Sequence, residues 1–208
     1  MVTKEASSVR NKKPAAEPTW DVAKLFPDQG TWSPEEYLEL NANRLVEFSH
    51  GILEVLPMPS QTHQLMVLYL YRLLLNFSET RRLGMTLVAP LPVQLWPGKF
   101  REPDVVFMLA ANAARRGEQY WEGADLVMEV VSSDDRRRDT ETKRREYAQA
   151  GIPEYWIVDP QNEQLTVLTL DGDSYAVVGE FAPGETAVSR LLDGFAVEVT
   201  AVFTAAQS

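Results

Sequence analysis

Apolar residues in this chain gather in short runs, and the period of the pattern changes along its length. Residues 103–109 (PDVVFML), 125–131 (DLVMEVV) and 153–159 (PEYWIVD) are continuous apolar runs of strand length. Apart from Asp125, which opens the second, each of the first two carries one acid, Asp104 and Glu129, inside an otherwise apolar strand. Between the second and third lies a charged helical segment, with Asp139 as its N-cap and Gly151 as its stop before Pro153. Upstream, Ser33-Pro34 with Glu36 reads as a capping box opening a helix, and residues 44–56 read as a hairpin around Ser49-His50-Gly51. A helix follows over 61–77, apolar on nearly every side and therefore packed between layers. Residues 86–95 read as one strand, bulged or at an edge because of Pro90 and Pro92. The loop 110–123 carries Arg115, Arg116, Tyr120 and Trp121. Beyond Asp159, runs at 164–170, 174–181 and 195–199 are joined by Asp-Gly and Pro-Gly turns, an antiparallel extension of the sheet.

Composition narrows the classes. With 208 residues and 45% hydrophobic content, one sizeable core is expected, spanning 29–204 and preceded by a loosely attached arm over 1–28. The formal net charge of −10 argues against a protein that coats nucleic acid by bulk charge, while leaving room for a local basic groove. Cysteine is absent, which removes disulfides, thiolate zinc sites and a cysteine nucleophile. The N-terminus lacks the apolar core of a signal peptide, and the longest apolar stretch, 65–77, is interrupted by Arg72 and too short to span a bilayer. A soluble cytoplasmic protein is the expectation.

The buried acids carry the chemistry. An unpartnered carboxylate is costly to bury, so acids in apolar strands are paired, placed at a strand end or bound to a metal. Strand alternation puts Val127, Glu129 and Val131 on one face, and Asp104 opens a strand that can pair alongside. Projecting from one end of a sheet, Asp104 and Glu129 would offer hard oxygen ligands to Mg²⁺ or Mn²⁺. On the helix, Lys143, Tyr147 and Ala150 form one stripe at i, i+4 and i+7 that faces the sheet. The alternative for Lys143 is an exposed i,i+4 contact with Asp139. Arg136, Arg137, Arg138, Arg144 and Arg145 are either a phosphate-backbone contact or a solvated, salt-bridged helix face. Glu47 reads as a hairpin acid facing solvent, and His63, in the first turn of its helix, as a hydrogen-bonding residue or a ligand.

In order, TWSPEEYLEL, RLVEFSHGILEVLPMPSQTHQ, EPDVVF, DLVMEVVSSDDRRRDTETKRREYAQAGIPEYWIVDP and SRLLDGFAVEV cover most of the chain. Together they resemble the Uma2 (formerly DUF820) endonucleases of the PD-(D/E)XK nuclease superfamily. The resemblance implies a restriction-endonuclease-like α/β (α+β) fold, a mixed sheet flanked by helices. It also implies a divalent-metal site and a nucleic-acid phosphodiester as substrate; double-stranded DNA is the expected form, and a duplex-cutting enzyme of this size is expected to work as a homodimer with two sites. Pro103-Asp104 matches the superfamily's first acid and Glu129 its second, while Glu47 matches the N-terminal acid that completes the metal site. The superfamily lysine stands two residues after the second acid, where this chain has Val131. Lys143 on the following helix is then the replacement. His63 and Tyr147 resemble recurring positions that support the site. Two other classes compete: a nuclease fold kept as a binding or assembly module with little turnover, and a small-molecule metal hydrolase with a closed apolar pocket.

Overall fold

The computed structural model describes residues 26–40, 44–132 and 136–206. The expected N-terminal arm, apart from residues 26–28, lies outside them. Among the described residues the chain forms two principal sheets and a short two-stranded ribbon.

The larger sheet runs β11-β10-β9-β8-β6-β3. Its strands are β3 (Gly84–Val88), β6 (Val105–Leu109), β8 (Leu126–Val130), β9 (Glu154–Asp159), β10 (Gln164–Asp171) and β11 (Ser174–Phe181). All neighbours are antiparallel except β8 and β9, which are parallel. A parallel pair needs a crossover, and the charged helix supplies it. It comprises a π-helical stretch, Arg138–Lys143, continuing into α3 (Arg144–Gln149). The sheet is covered on both sides, which is why β6, β8 and β9 read as unbroken apolar runs. On one face α2 (Gln61–Arg81) lays Met66, Val67, Leu70 and Leu74 against Val105, Phe107, Met128 and Val130, joined by Val202 and Phe203 of α4 (Val199–Ala205). On the other, Tyr147 and Ala148 of α3 meet Val106, Met108, Val127 and Val131.

The smaller sheet runs β2-β1-β5-β4-β7, built from β1 (Val46–Ser49), β2 (Ile52–Val55), β4 (Val93–Trp96), β5 (Lys99–Arg101) and β7 (Trp121–Glu122). The hairpin turns at Gly51, whose φ of +85° and close approach to Gly30 exclude a side chain. The helix α1 (Pro34–Leu38) opens with the expected capping box. Its Tyr37 packs on Phe48 and Phe100. The ribbon pairs β12 (Thr186–Val188) with β13 (Ala196–Glu198).

Several expectations change. The run at 195–199 does not extend the larger sheet but pairs in the separate ribbon. Residues 86–95 are not one bulged strand: the chain breaks at the cis Ala89–Pro90 bond, with β3 in one sheet and β4 in the other. The long helix continues to Arg81, beyond 77. The charged helix is already formed at Arg136, so Asp139 lies within it, buried, rather than capping it. Part of the 110–123 loop is a 3-10 helix, Ala110–Arg115. No described helix is long and apolar enough to cross a membrane.

Candidate active site

The antiparallel register of β6 and β8 pairs Val105 with Met128, and one step further Asp104 falls opposite Glu129. Both acids stand where the sheet ends, and both are almost fully buried. Asp104 Oδ2 accepts the Val130 N–H at 2.8 Å and lies 3.1 Å from His63 Nε2 on α2. Glu129 Oε1 accepts the Tyr147 hydroxyl at 2.6 Å and lies 2.9 Å from Lys143 Nζ. The hydrogen bonds and ion pairs of the two acids fall on one oxygen of each, Asp104 Oδ2 and Glu129 Oε1. Each acid is thus fixed by one of its two oxygens.

Lys143 is 4% exposed and sits among carboxylates: Glu129, Asp139 at 3.2 Å and Glu47 at 3.6 Å. The i,i+4 pair with Asp139 is present, but it is buried rather than exposed and is one of three carboxylate contacts. Burial favours the neutral amine, but Glu129, Glu47 and Asp139 outweigh it and hold the ammonium charged. Burial also drives Glu129 and Asp139 above the ordinary carboxylate range, opposed by Lys143 and reinforced by Asp104. His63 is raised by its bond to Asp104, against a burial that lowers it.

Glu47 is fully buried, not solvent-facing. Its Oε2 meets the guanidinium groups of Arg101 and Arg138, and its Oε1 accepts the Glu102 N–H at 3.3 Å. The network extends to Glu54, 2.8 Å from Arg101 and 2.6 Å from Arg138. It also reaches Glu146, which takes Arg101 on both oxygens at 2.7 and 3.0 Å and Lys99 at 2.9 Å. Hairpin, β5 and crossover helix are therefore tied through buried charge. Arg101, Glu102 and Glu146 escaped the sequence reading, and Asp139 entered it only as a helix cap and an exposed partner for Lys143. The available signal was in β5, where Lys99 and Arg101 alternate on a strand that is buried throughout.

The arginines of the helix are placed differently from one another. Arg136 pairs with Asp159, Arg137 with Glu141 at 2.9 Å, and Arg138 with Glu47 and Glu54. Arg144 donates to the Tyr175 carbonyl at 3.1 Å. Arg137 is the most exposed of the ion-paired set, its side chain 83% accessible.

A hard divalent cation fits the donor set. The two remaining oxygens belong to carboxylates, and a cation would relieve the burial, and the lesser repulsion from Asp104 and Asp139, that raise Glu129. Among the described residues no three acids or histidines form a complete protein-only cage. Magnesium needs none, since one or two carboxylates with water and substrate oxygens complete its shell. Asp104, Glu129, Lys143, Arg138 and His63 line one cleft of ≈ 510 Å³.

The fold is a mixed α+β one, a mixed sheet flanked by helices, with two acids at a strand end and a lysine on the crossover helix. The sequence profile of the Uma2 family, described as "Putative restriction endonuclease", matches residues 34–200, and the chain belongs to that family. Among solved structures it is similar to "a putative nuclease belonging to DUF820" from Anabaena variabilis ATCC 29413. The TM-score is 0.69 at 15% identity, covering 84% of this chain and 99% of the other. No curated protein matches in sequence.

Proposed function

We propose that this chain is a metal-dependent endonuclease that hydrolyses nucleic-acid phosphodiester bonds, with double-stranded DNA as substrate. One observation carries the reading: Asp104 and Glu129 are each fixed by one of their two oxygens beside a buried, charged Lys143. Mg²⁺ or Mn²⁺ held by these two acids would supply Lewis-acid polarisation of the phosphoryl oxygen and a more acidic water. The protein's own part is positional. Val130 N–H and His63 fix the Asp104 carboxylate, while Tyr147 and Lys143 fix that of Glu129. Lys143 places a positive charge where the attacking water and the pentavalent phosphorus would carry negative charge. Val131, which stands at the usual lysine position, packs in the core, so an ammonium must come from the helix. Glu47 holds Lys143 from the far side, and joining a cation's shell would require Arg101 and Arg138 to release it.

A second reading, a binding module with little turnover, draws on the arginines being paired with the protein's own acids. Calorimetry with Mn²⁺ and cleavage of supercoiled, linear and single-stranded substrates separate the two. The nuclease binds Mn²⁺ and nicks DNA in the wild type, and loses both with Asp104→Asn or Glu129→Gln. Mn²⁺ affinity that survives both substitutions removes the assignment.

A further inference from the structure

His63, Glu102 and Asp104 stand on a ridge between two hollows. On one side is the charged cleft already described. On the other is a larger one of ≈ 710 Å³, within the size range of small-molecule sites. Its wall is apolar, with Leu38, Val67, Leu68 and Pro90 among its residues. Met58, shared by both hollows, is 64% exposed and Leu68 47%, so the wall presents greasy surface to solvent close to a candidate catalytic acid. Beside Tyr37, whose hydroxyl donates to Glu102, three polar side chains belong to that lining, those of Gln64, Gln119 and Arg44. Among the described residues none of the three is bonded to another protein group.

Resting on the endonuclease reading, we propose that this second hollow receives one unstacked nucleobase, that of the nucleotide adjoining the phosphate cut at Asp104. An apolar wall suits the faces of a base, amides suit its hydrogen-bonding edge, and a guanidinium suits the flanking phosphate. A phosphate at Asp104 leaves its neighbouring nucleoside on one side of the ridge or the other. The charged side adds Glu129, Arg138, Asp139 and Lys143 to the shared Glu102 and Asp104 and is hostile to a base face, whereas the other side adds no carboxylate to them. The substrate class is therefore nucleic acid in which a nucleotide at the cut is unpaired or easily extruded. A fully paired duplex must first give up stacking and pairing, a penalty that a mismatched or single-stranded site avoids.

The test uses three substrates: a paired duplex, the same duplex with one unpaired 2-aminopurine, and the single strand. Binding in Ca²⁺ should raise 2-aminopurine fluorescence in the second. In Mg²⁺ that duplex should be cut beside the unpaired nucleotide about tenfold faster than the paired one, the factor that an extrusion penalty of about 1.4 kcal/mol produces. Leu68→Trp fills the hollow from an exposed position and should abolish both effects, with an unchanged melting temperature reporting an intact fold. Equal cleavage of both duplexes without a fluorescence change overturns the base pocket and leaves the endonuclease standing. So does a fluorescence rise that persists in Leu68→Trp. Failure to bind or cut any of the three overturns both.

Discussion

A lysine buried among three carboxylates is held by what surrounds it, and they by it. Removing one partner from a buried charge cluster costs about 3–5 kcal/mol, because the others are left uncompensated. Lys143→Met should therefore lower the melting temperature by roughly 10 °C in the absence of divalent ions. Mn²⁺ should restore part of the loss as it replaces the missing positive charge. Turnover should fall by about 10²-fold. An unchanged melting curve would mean that Lys143 is not held as the structure places it. A second consequence at this scale concerns pH. Burial, with the charge of Glu47, pushes Glu102 up to about 7. Its proton is bound more tightly in the folded state, so the stability it contributes is complete below about pH 4.5 and is lost as pH rises towards 7. Glu47 has the opposite sign: burial pushes it up, but Lys143, Arg101 and Arg138 hold it down to about 2, so its contribution is lost as pH falls from about 4.5. Each amounts to about 3 kcal/mol. Urea midpoints of the metal-free protein should peak near pH 4.5–5. Glu102→Gln should flatten the alkaline side; a decline as steep as that of the wild type would assign it elsewhere.

At the level of elements, the hairpin is structural in a way its sequence concealed. Arg101 joins Glu47 and Glu54 of the hairpin to Glu146 of the crossover helix. Arg101→Met should destabilise the protein by about 3–5 kcal/mol and raise hydrogen exchange in both elements together. Exchange confined to the hairpin would show that the two are not coupled. Apolar runs made β6, β8 and β9 legible, and alternation placed Asp104 and Glu129 correctly, because a strand covered on both faces has few other ways to be written. The stripe Lys143, Tyr147, Ala150 likewise pointed to the sheet. The network around Glu47 was not legible, since its members come from distant segments and an acid facing water and an acid facing Arg101 look alike in sequence. The sheet boundary at Ala89–Pro90 was hidden for a similar reason: proline marks an interruption, and only the tertiary pairing shows that the chain changes sheets.

For the molecule as a whole, a net charge of −10 opposes a polyanion, and Arg136, Arg137 and Arg138 of the crossover helix are each paired with one of the protein's own acids. Each phosphate contacted contributes a slope of roughly −0.9 in log affinity against log salt, so the slope should be shallow, with attraction concentrated in a few contacts. Arg137→Ala should reduce its magnitude by about 1, while Arg136→Ala should act more on thermal stability through Asp159. A slope untouched by Arg137→Ala would place the contacting surface away from this helix. The parallel pairing of β8 and β9 has a further consequence, for how the chain can be cut and rejoined. Glu129 precedes the crossover helix and Lys143 lies within it, so any new pair of termini introduced between Val130 and Lys143 puts the acid and the ammonium at opposite ends of the polypeptide. Circular permutants opened at the exposed Asp171-Gly172-Asp173 turn, where β10 meets β11, keep that connection and should fold and retain metal affinity. Those opened inside the crossover should assemble the site only after the whole sheet has closed around it.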